Sequence, residues 1–259
     1  MADDARGRAR TGGGETGRGY HHGDLRRALI EAGLELLDAG GVEAVGLRAA
    51  ARAAGVSHAA PARHFADAAA FVAAIAAAGY DQLAVAMEAA RADAPDPLSG
   101  FRATGLAYVA FALGHPNRFR VLSHPLVAEA ADVPELGDAS QRAFGVLRRA
   151  ISDAQADGSV RAGDAETVAL AAWSMVHGLA VLLVDGRLDA KGYADEPNRL
   201  AEAALTHLYA GLHPLGTGGA PPTSDTNWAA AGSEPMRSGR HSAAPMAPRR
   251  KVMAGNPRK

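Results

Sequence analysis

From Leu25 to Leu212 apolar residues recur every three or four positions, and they almost never alternate one-for-one with polar ones. A stripe with that spacing lies along one side of a helix, whereas a half-buried strand needs a period of two. Clusters of β-branched and aromatic residues are few. The chain is therefore expected to be all-α. Glycine and proline divide the pattern: Gly40-Gly41, Gly55, Pro95, Pro97, Pro116, Pro125 and Pro134 fall at or between elements, where a helix can end or begin. Nine helices result. The first starts at Asp24, whose carboxylate can cap it, and shows Leu25, Ala28, Leu29, Ala32 and Leu36 on one face. The others cover 47–54, 57–65, 67–91, 98–114, 116–122, 134–157, 165–184 and 196–212, with 123–133 a loop or a short extra helix.

The 259 residues, 48% of them hydrophobic, can fill one large core or two small ones. A formal net charge of −1 names no partner. Residues 1–19 are polar and glycine-rich and lack the apolar stretch of a signal peptide. Residues 213–259 are rich in Gly, Pro and Ser and carry seven basic side chains against two acidic ones. Neither segment can bury enough apolar surface to offset the entropy of ordering, so a disordered arm and a disordered basic tail are expected. Cysteine is absent, which excludes disulfide and thiolate chemistry and fits a cytoplasmic protein.

The run from Val168 to Val184 is apolar except for Ser174, His177 and Gly178. It is shorter than the roughly 20 residues a bilayer requires, and Asp164, Glu166, Asp185 and Arg187 close in on both ends. No membrane span is expected. A helix apolar almost all round in a soluble protein is buried on more than one side, against its own core and against a partner chain.

The stretch "LRAAARAAGVSHAAPARHF" reads as two short helices about Gly55-Val56-Ser57, the arrangement of a helix-turn-helix. Gly55 can take the positive φ of a sharp turn. Val56 can fill the angle, and Ser57 can cap the second helix. That helix would lie in the major groove, where Ala59 and Ala60 allow close approach and His58 and Arg63 can donate to bases or phosphates. Pro61 forfeits the amide bond back to the Ser57 carbonyl, a partial cost in a first turn. Two short helices around a glycine also occur in proteins that never touch DNA, so the spacing alone leaves the matter open.

Residues 20–71, "YHHGDLRRALIEAGLELLDAGGVEAVGLRAAARAAGVSHAAPARHFADAAAF", resemble the DNA-binding domain of the TetR/AcrR family of bacterial transcriptional regulators. The first helix, Leu47-Arg48, Ala51, Ala54-Gly55-Val56-Ser57 and His64-Phe65 carry the match. "AAWSMVHGLAVLLVDGRL" looks like the Trp-x-x-x-His-Gly segment of one subgroup's regulatory domain. The resemblance implies a helix-turn-helix domain over 20–66, a ligand-binding and dimerisation domain over 67–212, and a homodimer through the eighth and ninth helices. The ninth also shows Ala201, Leu205, Leu208 and Leu212 on one stripe. Expected DNA-proximal residues are Tyr20, His21, His22, Arg48, Ser57, His58, Ala59, Ala60, Arg63 and His64. Four positions depart from the family's habit. Gly46 stands where a capping Ser or Thr is usual, Ala50 where a larger apolar residue is, Ala62 for an aromatic and Ala68 for a lysine. With fewer phosphate partners, weaker DNA binding than the family norm is expected.

Phe101, Tyr108, Phe111, His115, Phe119, Phe144, Trp173 and His177 are the candidate ligand residues. Core packing is the ordinary reading of such aromatics, and a carbonyl-satisfied buried histidine that of His177; an apolar pocket with a few polar groups is the sharper one. His21-His22 lacks a third ligand at a workable spacing, so no metal is expected, nor any other cofactor. No nucleophile-base-orienter set and no phosphate-binding glycine loop is visible, so an enzyme is not expected. The chain reads as a regulator, a repressor released from a palindromic double-stranded operator by a small hydrophobic ligand. The alternative is a helical ligand-binding protein whose specific DNA binding is weakened or lost.

Overall fold

Helix α1 spans His22–Gly40 and stops where Gly41 turns to a φ of 71°. The computed structural model describes residues 22–130, 132–193 and 197–214; Tyr20, His21, the expected arm 1–19 and all but the first two residues of the expected tail lie outside them. Eight further α-helices follow: α2 (Leu47–Ala53), α3 (Ala68–Ala92), α4 (Pro97–Gly114), α5 (Pro116–Leu122), α6 (Pro125–Glu129), α7 (Pro134–Ala156), α8 (Ala165–Val184) and α9 (Pro197–Leu212). No strand occurs among the described residues. The helix starts follow local chemistry. The Asp67 carboxylate accepts from the Ala70 amide at 2.8 Å, Asp96 from Ser99 at 2.8 Å, and Asp164 from Thr167 at 3.1 Å. Proline holds the first turn of α4, α5, α6 and α7, where its missing N–H is harmless.

Several expectations need correction. The first helix already runs at His22, so Asp24 lies inside the first turn rather than at the cap. Of the two readings left open for 123–133, the short extra helix is the one found, α6. The largest departure is the third predicted helix: 57–65 is not α-helical. It is a turn followed by one 3₁₀ turn over Pro61–Arg63. Pro61 has no amide hydrogen for the Ser57 carbonyl, so that carbonyl accepts instead from Ala60 at 3.0 Å, three residues on. Arg63 bonds Ala60 and His64 bonds Pro61 with the same short spacing. The cap position of this turn is Ala60, without a side-chain bond, so Ser57 does not cap it. Among the described residues the count of nine α-helices is kept only because α6 replaces the lost one.

Helix α3 is the spine. It lies along α7 and α4, and Phe71, Ile75 and Leu83 on it are almost fully buried. Gly33 lets α1 approach α3: a Cβ there would fall 2.5 Å from Ile75 Cδ1 and 2.9 Å from Phe71 Cζ. Phe65, after the 3₁₀ turn, packs edge-on against Phe71 with centroids 4.9 Å apart. A second tie runs from α5 to α1. The Arg118 guanidinium forks onto the Asp38 carboxylate, with Nε at 2.9 Å from Oδ1, and the Asn117 amide donates to the Asp38 carbonyl at 3.1 Å. Arg26 of α1 also pairs with Glu135 of α7.

Helices α8 and α9 cover α4. The stripe Ala201, Leu205, Leu208, Leu212 is buried within this chain, with Leu205 seated beside Gly105 and Tyr209 edge-on to Phe101. Exposed on α8 and α9 are small residues, Ala171, Ser174, Ala203, Thr206 and Ala210, interspersed with larger ones, among them Leu170, Trp173, Met175, Leu182, Glu202 and His207. The apolar run from Val168 sits in a helix of 20 residues, so shortness is no argument against a span. α3 and α8 are both long and apolar enough to cross a bilayer, and α3 is largely enclosed by its neighbours.

Candidate functional site

Two regions collect the candidate residues. The first is the corner after α2. Gly55, at φ 69°, donates its amide to the Arg52 carbonyl, while Val56 donates to Ala51. These two bonds end α2 in a Schellman motif and throw the chain sharply outward. Arg48 on α2 and Ser57, His58, Ala59 and Arg63 beyond the corner are exposed; Ala60 is half-buried. Gly46, at the start of α2, offers no side-chain cap, Ala50 is fully buried, and Ala62 and Ala68 are exposed. His64 is half-buried. Its Nε2 is enclosed without a hydrogen-bond partner, so that nitrogen is not on the surface of the corner. His22 opens α1.

The second region is a cavity of about 340 Å³ between α3, α4, α5, α7 and α8. Five of the eight ligand candidates line it: Tyr108, Phe119, Phe144, Trp173 and His177. Helical spacing brings them together. Glu166, Leu170, Trp173 and His177 lie on one face of α8, and Ser140, Phe144 and Leu147 on the facing side of α7. The rings meet edge-on or tilted. Tyr108 and Phe119 have centroids 5.9 Å apart, Trp173 and His177 5.5 Å, Phe144 and Trp173 6.3 Å. Tyr108 Oη and His177 Nδ1 are 2.8 Å apart. Tyr108 thus bonds His177, in place of the carbonyl partner that is usual for a buried histidine.

The structure does not bring the other three to this cavity. Phe101 is a core residue on Tyr209, facing a void of about 20 Å³ that shares Tyr108 and Trp173 with the larger one. Phe111 is buried against the His115 ring, and His115 itself is an exposed junction residue between α4 and α5. Sequence reasoning followed the aromatics of α4 along one stripe, but only Tyr108 of that stripe meets α8. It missed the polar and aliphatic lining, among them Tyr80, Leu83, Met87, Ser123, Ser140, Gln141 and Glu166. No signal in the one-dimensional pattern separates these from other half-buried helix residues.

Burial sets the protonation of the pair. It pushes the Tyr108 phenol up to about 12 and lowers the imidazole of His177 from its ordinary value, so both groups are uncharged at neutral pH. A histidine held neutral by the fold contributes stability that is fully present above its unfolded pKa and is lost as pH falls toward the folded one, because the unfolded chain takes up the proton first. The Tm is therefore expected to fall further between about pH 7.5 and pH 5.5 in the parent protein than in His177→Phe. Scanning calorimetry at several pH values measures this, and parallel curves would contradict it.

A family model, the tetracyclin repressor-like C-terminal domain, matches residues 101–208, the stretch that supplies most of the cavity. Among solved structures, a protein of unknown function from Rhodococcus sp. RHA1 is 34% identical, with a TM-score of 0.65, over 76% of this chain and 100% of that one. A TetR-family transcriptional regulator from Pectobacterium atrosepticum is 21% identical, with a TM-score of 0.60, over 75% and 96%. The TetR family transcriptional regulator PfmR from Thermus thermophilus is also 21% identical, with a TM-score of 0.53, over 72% and 99%. No curated protein matches the chain.

Proposed function

We propose that the chain, whose residues 101–208 match the tetracyclin repressor-like C-terminal domain, is a regulator of the TetR family: a cytoplasmic homodimeric repressor that leaves a palindromic operator when a small, mostly apolar molecule fills the cavity. One observation carries the reading: the wall of the cavity and the grip on α1 belong to the same short helix. Phe119 and Leu122 of α5 line the cavity, and Asn117 and Arg118 of α5 hold Asp38 at the end of α1. A guest that moves α5 therefore pulls on the helix that packs against α2 and the exposed corner. α3 offers a parallel route, with Tyr80, Leu83 and Met87 at the cavity and Phe71 under the corner. Coupling of this kind needs different ligand affinities in two arrangements, typically about 1–3 kcal/mol apart, and is reciprocal. The domain division at 66/67 belongs to this proposal. Catalysis has no part in it.

On this proposal Arg48, Ser57, His58, Ala59, Ala60 and Arg63 meet the duplex, joined by Tyr20, His21 and His22. Arg63→Ala is expected to cost about 1–3 kcal/mol of DNA affinity without loss of fold, and Ala62→Tyr to tighten binding by adding a phosphate or sugar contact. Mobility shifts on a selected operator measure both, and parent-like affinity in both variants would show that this turn is not the reading element. The 3₁₀ geometry of 61–63 and the bare Gly46 cap favour a second reading, a ligand-binding protein with little specific DNA affinity. Such a protein would bind ligand equally well with and without DNA.

A further inference from the structure

The hydrogen-bond inventory of the cavity constrains its occupant more tightly than its volume does. A phenol and a neutral imidazole hold two exchangeable protons between them. One lies in the 2.8 Å bond between Tyr108 Oη and His177 Nδ1. The other is left over in either tautomer: on His177 Nε2 when Tyr108 donates, on Tyr108 Oη when the ring donates. The pair thus has one N–H or O–H to give in both cases. The lining holds one carboxylate, Glu166, and no lysine or arginine. Glu166 is already shared with Arg148 at 3.3 Å. An anionic guest meets no cation in the lining, and a cationic guest meets a leftover donor and a carboxylate that is already paired. Around the pair stand ring surfaces, with Phe119 and Trp173 each 5.5 Å from the His177 centroid.

We infer that the cavity takes an uncharged, ring-bearing molecule with a hydrogen-bond acceptor, a ketone or ester oxygen, bound by the Tyr108–His177 pair. This rests on the ligand-responsive reading above and adds the charge and the polar group of the ligand. The other donors of the lining are spoken for or lie at its rim: Ser140 gives its hydroxyl to the Gly137 carbonyl at 2.9 Å, Tyr80 gives its own to the Leu122 carbonyl at 3.2 Å, the Trp173 indole is engaged with Tyr108, and Ser123 and Gln141 are exposed.

Four matched probes test it on the full chain by calorimetry: benzophenone, diphenylmethane, 4-benzoylbenzoate and (4-benzoylbenzyl)trimethylammonium. Benzophenone is expected to bind roughly tenfold or more tightly than diphenylmethane, which leaves the donor unpaired, and more tightly than either charged analogue. Its carbonyl stretch should move to lower wavenumber when bound. Tyr108→Phe and His177→Phe each keep one donor and should keep most of the preference; the double variant should lose it. If the double variant does not fold, the infrared shift on the unaltered protein decides. Equal affinity for ketone and hydrocarbon, a tighter carboxylate or ammonium, an unshifted carbonyl, or no binding by any probe at its solubility limit would each overturn the inference. Binding is read without DNA. A protein that selects no DNA sequence can therefore still pass, and failure here leaves operator binding untouched.

Discussion

Gly178→Arg is expected to turn the proposed dimer into a folded monomer and to weaken operator binding on the order of 100-fold or more. Gly178 lies on the outward side of α8, and a Cβ built there meets nothing within 4 Å, so the chain itself has room for the new side chain. Arginine also suits a helix interior better than glycine, by roughly 0.5–1 kcal/mol. The damage falls on a neighbour. α8 is apolar almost throughout but buries only 22% of its most apolar stretch within this chain. Small residues, Ala171, Ser174, Ala203, Thr206 and Ala210, recur among the exposed positions of α8 and α9, where a second copy can lie close. A guanidinium in the middle of that contact would be desolvated without a partner. Both half-sites of a palindrome are then no longer held by one molecule, and the avidity of two linked heads is lost. Sedimentation and mobility shifts measure the two effects. A G178R protein that remains dimeric would place the interface elsewhere.

Phe71→Ala is expected to destabilise the protein by about 3–5 kcal/mol, the cost of a large cavity in a packed core. Phe71 is fully buried, edge-on to Phe65, and fills the space opposite Gly33. It is the residue at which α1, α3 and the segment after the corner converge. Urea unfolding followed by circular dichroism measures the loss, and a change under about 1 kcal/mol would mean that the joint rests on other contacts.

Most of the helix order was legible because its signals are local. Asp67, Asp96 and Asp164 act as caps, and prolines stand in first turns, as side-chain chemistry dictates. The 57–65 segment misled for a local reason too. Ser57 and the apolar spacing favour a helix, but Pro61 at the fourth position removes the amide that its first turn requires, and short turns win. The cavity was half legible. A histidine four residues after a tryptophan on an apolar helix marks a polar spot on a buried face, and Tyr108 lies at a matching height on α4. Which other residues join them depends on how α3, α5 and α7 cross, which no single helix encodes. For the same reason Phe111 and His115 could not be told from Tyr108, nor the inner stripe of α9 from an outer one.

On the proposed function the exposed corner after α2 reads a two-fold symmetric DNA site. Capture of genomic fragments by the purified full chain at low and moderate salt, followed by sequencing, tests it most directly. Enrichment of a few fragments sharing two inverted half-sites is expected, with affinity that falls as salt rises but along a shallow slope, since few phosphate partners remain. Fragments recovered in proportion to their abundance at every salt concentration would contradict it.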